Sequence, residues 1–198
     1  MARLGVFGGT FDPPHLAHLI LAAEAYYQFS LDRVLWVLTP DPPHKEGKPI
    51  TSFLHRLDMV MAAIDQNPAF ELSRVDIDRP PPHFAVDTLK ILQGQYPQES
   101  LVSIMGGDSL RDLPKWHNPI EFLAACSVIG VMRRPGDAID LVGLERQLPG
   151  LREKIQFINA PLLQISASQL RERLAVGKSI RYYVPDTVGR IIKNRKLY

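Results

Sequence analysis

Short apolar runs recur along the chain, and between them lie longer stretches whose apolar positions are three and four apart. The runs fall at 3–7, 33–39, 70–75, 101–105, 128–132 and 154–158. They alternate little, as expected of parallel strands covered on both faces. Between the first two, Leu16, Leu19, Ile20, Ala23 and Tyr27 make one stripe of a helix over 16–29. A second helix starts at Ser52, its cap, and runs to about Asn67. It turns Leu54, Leu57, Val60, Met61 and Ile64 inward and carries Arg56 in a structural role. The proline-rich turn from Arg79 to Leu89 leads into a helix ending near Gly94, and further helices are expected at 119–126, 140–148, after Ser168 and over 186–198. Strand and helix alternate throughout, which predicts an α/β fold, a doubly wound parallel sheet with right-handed crossovers.

The first crossing carries the chemistry. The run Gly8-Gly9-Thr10-Phe11-Asp12-Pro13-Pro14-His15-Leu16-Ala17-His18 reads as strand, tight glycine turn, helix. Glycine lets backbone approach a ligand closely, and the prolines end the strand. His15 and His18 share one face of the helix start, where N–H groups and the positive dipole end favour phosphate. Ligands of an open parallel sheet sit beyond the carboxyl ends of its strands, and other candidates lie on that same edge. The loop at 40–48 offers His44, Lys45 and Lys48 to an anion. Gly106-Gly107-Asp108 repeats a glycine turn after a strand, Asp108 can accept hydrogen bonds from ribose or amide groups, and Trp116 stands in a polar, proline-broken setting that suits stacking on a planar ring. Arg133 and Arg134 follow another strand and can clamp phosphate. Ser168, as a cap, and Arg171 one turn on form a second helix start able to hold phosphate. The tail after Asp186 is assigned to packing.

Composition changes this picture little. The 198 residues suit a single domain with a sizeable core. With 45% hydrophobic and 22% charged residues, the chain is of ordinary globular composition. A net charge of +2 does not argue for nucleic acid. The lone cysteine, Cys126, permits no internal disulfide and reads as a buried, inert thiol. No apolar run approaches the ~20 residues of a membrane span. The start of the chain lacks a signal-peptide layout, so the cytoplasm is expected by default.

The stretch 8–18 resembles the signature of the nucleotidyltransferase superfamily, with Ala17 where that family usually has glycine. Over essentially the full length, the chain resembles the bacterial nicotinate-nucleotide adenylyltransferases. The resemblance rests on Pro-Pro-His-Lys at 42–45, Gly-Asp-Ser-Leu and Trp within 107–116, Arg-Pro-Gly at 134–136, Ser-x-Ser-x-x-Arg at 166–171 and the final Leu197-Tyr198. It implies a Rossmann-like nucleotidyltransferase fold in one domain spanning 1–198, with a helical part from about 166. The implied reaction joins ATP and nicotinate mononucleotide into deamido-NAD with release of pyrophosphate, Mg²⁺ being carried on the ATP phosphates without a dedicated protein cage. By the same resemblance, His15 and His18 are catalytic and hold the ATP phosphates. Gly8, Gly9, Thr10, Phe11 and Gly106 line the ATP site, while Ser166, Ser168 and Arg171 bind the β- and γ-phosphates. On the mononucleotide side stand His44, Lys45, Phe84, Ala85, Asp108, Trp116 and Arg134. Two departures stand out: His83-Phe84-Ala85 where the family commonly has Ser-Tyr-Thr, and Ser166-Ala167-Ser168 where it tends to have Ser-Ser-Thr. The first bears on the choice between acid and amide. Alternatives are a sister enzyme with a nicotinamide mononucleotide or phosphopantetheine acceptor, and a nucleotide-binding regulator without chemistry. A nicotinamide-dependent dehydrogenase is disfavoured, because the first turn lacks Gly-x-Gly-x-x-Gly. Neither nucleic acid nor membrane is an expected partner, and a homo-oligomer is left open.

Overall fold

In the computed structural model, which describes residues 2–42, 49–133, 136, 138–161 and 163–198, the apolar runs pair into one sheet. Its strands are β1 (Arg3–Gly9), β2 (Arg33–Leu38), β3 (Phe70–Ser73), β4 (Ser100–Gly106), β5 (Val128–Met132) and β6 (Ile155–Ile158). All neighbours are parallel, in the order β3-β2-β1-β4-β5-β6. The doubly wound α/β expectation holds. The order reverses between β1 and β4, so the crevice of such a sheet opens at their carboxyl ends. β1 is two residues longer than expected. Gly8 and Gly9 pair with Val37 and Leu38 as ladder residues, and the turn proper is 10–15.

Alternate side chains of each strand enter two separate cores. One face gathers Leu4, Val6, Leu35, Val37, Leu101 and Met105 under α3 (Ala85–Gln95), α4 (Gly107–Asp112), a 3₁₀ turn (Leu113–Lys115), α5 (Pro119–Ala125), α6 (Leu141–Gln147) and α7 (Leu151–Lys154). The other gathers Phe7, Val34, Trp36, Leu38, Val102 and Ile104 under α1 (Leu16–Gln28) and α2 (Phe53–Ile64). Burial on both faces explains why the strands lack alternation. A third cluster joins Met59 of α2 to Leu170, Val188 and Ile192 of α8 (Ala167–Ala175) and α9 (Asp186–Arg195).

Three local expectations are corrected. On α1 the buried residues are Ala17, Leu21, Ala22 and Ala25, while Tyr27 is exposed. The alanines let the helix lie close to the sheet, so packing depth rather than apolar bulk selects its inner face. On α2, Leu54 and Met61 are 66% and 51% exposed, and Arg56 and Met59 are buried in their place. Met59 is covered by the cluster with α9, far away in sequence, and Arg56 by the backbone carbonyls it binds. Ser166, not Ser168, caps α8; its hydroxyl accepts from the Gln169 N–H at 3.3 Å. Asp140 caps α6 in the same way, accepting from Gly143 N–H at 2.9 Å.

Candidate active site

The turn after β1 is fixed by one arginine. Arg56 is 2% exposed and donates to the carbonyls of Thr10 (3.0 Å), Thr39 (2.9 Å), Pro40 (2.6 Å) and Thr51 (2.9 Å). These carbonyls belong to the segments leaving β1 and β2 and entering α2. A guanidinium has five donors in a rigid fork and is suited to collect several acceptors at once. Burial pulls its pKa down, against the opposing pull of Asp12, Tyr198 and Asp41. The structural role expected of Arg56 is what the geometry shows.

Beyond Arg56 the chain folds Phe11 back over Gly9. Phe11 has a φ of +47°, and a Cβ on Gly9 would lie 2.8 Å from its ring, so glycine is required there. Phe11 is buried against Phe7 and Trp36 and sets its ring edge-on to His18 at 5.2 Å. It backs the histidine rather than lining the cavity. His15, 1% exposed, stacks on His18 with ring centroids 3.6 Å apart and planes 18° from parallel. The His15 backbone N–H donates to His18 Nδ1 at 3.2 Å. In the neutral ring this puts the His18 proton on Nε2 and makes that atom the donor. The first turn of α1 has no acidic residue, so its positive dipole end is uncompensated. One expected donor is taken, however: the Leu16 N–H binds the Tyr183 carbonyl at 2.9 Å. Hydrogen bonding to an anion placed there would therefore fall more heavily on the histidines.

These groups face a cavity of about 570 Å³ at the crevice between β1 and β4. Of the expected site residues, Gly8, Gly9, Thr10, His15 and His18 line it from the β1 side, and Phe84, Ala85, Gly106, Asp108 and Trp116 from the opposite side. A Cβ on Gly8 or Gly106 would meet nothing within 4 Å. At both glycines the space on the cavity side of the strand is open. Gly106 closes β4 and caps α4 directly. Asp108, in the first turn of α4, pairs with Arg111 on a half-exposed face. Trp116 is half-buried, set edge to face with Phe122 at 5.2 Å, and so both fills core and walls the cavity.

Other expected residues stand apart. Ser166, Ser168 and Arg171 do not line the cavity, but Arg171 reaches the β1 turn, donating to the Asp12 carbonyl at 2.7 Å. Arg133 lies with its guanidinium 3.8 Å over the Phe157 ring, away from the cavity. His44, Lys45 and Arg134 lie outside the described residues.

The structure also adds His117, Asp76 and Arg79, to which the sequence assigned no site role, and shows where His83 of the departing triplet stands. His117 lines the cavity and stacks on Phe84 at 4.0 Å. Buried Asp76 accepts from Arg79 (2.9 Å) and Thr88 (2.7 Å), and Arg79 also donates to the carbonyls of Pro82 and Phe84, which shapes the wall at 79–88. Buried His83 has Nε2 3.3 Å from the Arg79 carbonyl; a carbonyl only accepts, so Nε2 donates. Asp12 and Tyr198, the latter noted above only as part of the final Leu197-Tyr198, meet beside the β1 turn. The arginine before the proline run was a usable signal for this wall; nothing in the sequence pointed to Asp76. Away from the cavity, burial pushes the Cys126 thiol up to about 12, which fits its reading as inert.

Among the described residues, no three His, Cys, Asp or Glu side chains are placed to share a metal ion, and no helix is long and apolar enough to cross a membrane.

A family model described as cytidylyltransferase-like matches residues 6–173. A Thermomicrobium roseum protein named probable nicotinate-nucleotide adenylyltransferase is 45% identical over 198 residues, covering all of this chain and 92% of its own. The nicotinate-nucleotide adenylyltransferase of Bacillus subtilis is 37% identical, covering 100% of this chain and 99% of its own. Among solved structures, the Plasmodium falciparum nicotinic acid mononucleotide adenylyltransferase complexed with NaAD superposes with a TM-score of 0.82 at 21% identity, covering 100% of this chain and 98% of that one. At that identity the match speaks for the fold.

Proposed function

Because the chain belongs to the nicotinate-nucleotide adenylyltransferases of the cytidylyltransferase-like family, we propose that it transfers the adenylyl group of ATP to nicotinate mononucleotide. The products are deamido-NAD and pyrophosphate, a step of NAD biosynthesis. One observation carries the assignment of roles: a stacked histidine pair at a helix start and an aromatic wall face each other across one cavity. The first suits phosphates, the second a planar ring.

In this reading a phosphate oxygen of the mononucleotide attacks the α-phosphorus of ATP in line. The new P–O bond forms as the α–β bridging bond breaks, and pyrophosphate leaves with that electron pair. The attacking phosphate is already an anion, so no general base is needed. Catalysis is then positioning and charge stabilisation. His18 donates from Nε2 to the phosphates, beside His15 and the dipole of α1. Gly8 and Gly106 leave room for the nucleotide, Thr10 and Gly9 line its site, Gly9 also making room for the Phe11 ring, and Phe11 holds His18 from behind. Ser166, Ser168 and Arg171 take the outer phosphates. Trp116 and Phe84 flank the pyridine ring, the backbone at Ala85 meets its carboxylate, and Asp108 meets ribose. His44, Lys45 and Arg134 would meet the mononucleotide phosphate. Mg²⁺ enters as part of the MgATP substrate and neutralises phosphate charge there. The proposed setting is one nucleotidyltransferase domain working in the cytoplasm, where ATP and the mononucleotide are met.

The test is pyrophosphate release from MgATP with nicotinate mononucleotide, nicotinamide mononucleotide and phosphopantetheine in parallel. Release is expected with the first, and its ratio to the second reports what His83-Phe84-Ala85 does to acid preference. Release with phosphopantetheine alone would reassign the acceptor side, and release with none would leave a nucleotide-binding protein without this chemistry.

A further inference from the structure

Asp12 sits in the β1 turn, three residues before His15, and is 3% exposed. A buried carboxylate needs its oxygens satisfied, and here they draw on distant parts of the chain. Oδ1 accepts from the Tyr198 hydroxyl at 2.6 Å, across 186 positions. Oδ2 accepts from the Thr51 N–H at 3.3 Å. Arg171 donates to the Asp12 backbone carbonyl at 2.7 Å, but its nearest approach to the carboxylate is 3.8 Å. Its Nη2 also donates to Ser168 at 3.4 Å. Arg171 is therefore held beside Asp12 without a direct hydrogen bond to its charge. Tyr198 is brought there by the tail, which turns back after α9 through Lys196 at φ +51°. The tail docks on α2 through Thr187 Oγ1 to the Ala62 carbonyl (2.8 Å) and Arg195 to Asp58 (2.6 Å).

We propose that Tyr198 is a positioning residue for the phosphate side of the site, acting through Asp12 on Arg171. By occupying one carboxylate oxygen, its hydroxyl keeps Asp12 from drawing the Arg171 guanidinium into a bidentate pair, the arrangement that arginine and a carboxylate otherwise favour. Arg171 then stays poised at the mouth of the α8 start with donors for the outer phosphates of ATP. Burial, and then the bond to Asp12, push the Tyr198 hydroxyl well above its ordinary value, so it remains a donor across the working pH range. The inference rests on the assignment of Arg171 to the ATP phosphates.

The experiment measures binding rather than turnover. Calorimetric titrations with Mg²⁺ and α,β-methylene-ATP, and separately with nicotinate mononucleotide, compare wild type, Tyr198→Phe, Leu197→Ala, Arg171→Ala and the double variant Tyr198→Phe/Arg171→Ala, with melting temperatures recorded for each. Tyr198→Phe keeps the ring and its packing and removes only the hydroxyl. It is expected to weaken the ATP analogue about 5- to 10-fold and leave the mononucleotide unchanged. Leu197→Ala should lower the melting temperature without that split. In the Arg171→Ala background, Tyr198→Phe should add nothing. Additive losses, an equal effect on both ligands, or a lowered melting temperature with unchanged analogue binding would overturn the proposal and leave Tyr198 a packing residue. Failure of the wild type to bind the analogue would overturn the ATP-site reading, and this inference with it; binding by the wild type with an unaltered Tyr198→Phe sinks the inference alone.

Discussion

The two strand-to-helix crossings at the centre of the sheet are built in opposite ways. After β1 the chain makes a long turn in which the polar groups are buried and held: Arg56 on four carbonyls, Asp12 on Tyr198 and Thr51, His15 stacked on His18. After β4, Gly106 passes into α4 with no turn at all. Asp108, Lys115 and His117 on that side are exposed or half-exposed, and the contacts are rings, Phe84 on His117 and Trp116 on Phe122. The difference follows the ligands each side is proposed to meet. A triphosphate presents the same charges in every cycle, and donors aimed at charge are strongest when fixed and dry. A pyridine ring is recognised through area and shape, which half-buried aromatic side chains supply with less demand on orientation.

His18→Ala tests the rigid half most severely. Turnover should fall by roughly two to three orders of magnitude, as for loss of a preorganised charge-stabilising donor, while circular dichroism and melting temperature change little. Near-normal turnover would remove His18 from the chemistry and leave the β1 turn no more catalytic than the β4 crossing. Arg56→Met asks whether rigidity comes from the arginine. Leaving its carbonyl acceptors without their donor should cost about 3 kcal/mol, read as a melting temperature lower by roughly 6–12 °C. An unchanged melting curve would mean that the turn holds itself. Trp116→Ala probes the open half and should have the smallest effect. The KM for the mononucleotide should rise about tenfold, near 1.4 kcal/mol, in line with one aromatic contact, with the KM for ATP unchanged. Equal shifts in both constants would show that the halves are not separate.

Much of this was legible beforehand. Six apolar runs without alternation gave the parallel sheet, because strands buried on both faces have no polar side to show. The run from Gly8 to His18 marks the first crossing by its glycines, prolines and paired histidines, which fit a close backbone approach and a helix start. The helix faces are less legible. On α1 the alanines carry the contact, and hydrophobic bulk is a poor guide where closeness decides. On α2, Leu54 and Met61 fit the apolar periodicity, but Met59 is buried by a partner helix more than a hundred residues away and Arg56 by carbonyls of two other segments and of its own helix entry. Ser168 fits a cap by type, yet Ser166 has the extended backbone that places its hydroxyl under the Gln169 N–H.

By itself, then, the sequence determined the alternation of strands and helices, the sheet edge on which the cavity lies and the residue types proposed to meet phosphate there. These are local matters of periodicity, backbone freedom and side-chain chemistry. Tertiary structure alone decided that Gly8 and Gly9 belong to a strand, that Arg171 leans on Asp12, and that Tyr198 returns to a turn near the other end of the chain. Those outcomes depend on which distant groups fill a buried acceptor, and a buried acceptor is satisfied by whatever donor the fold brings within reach.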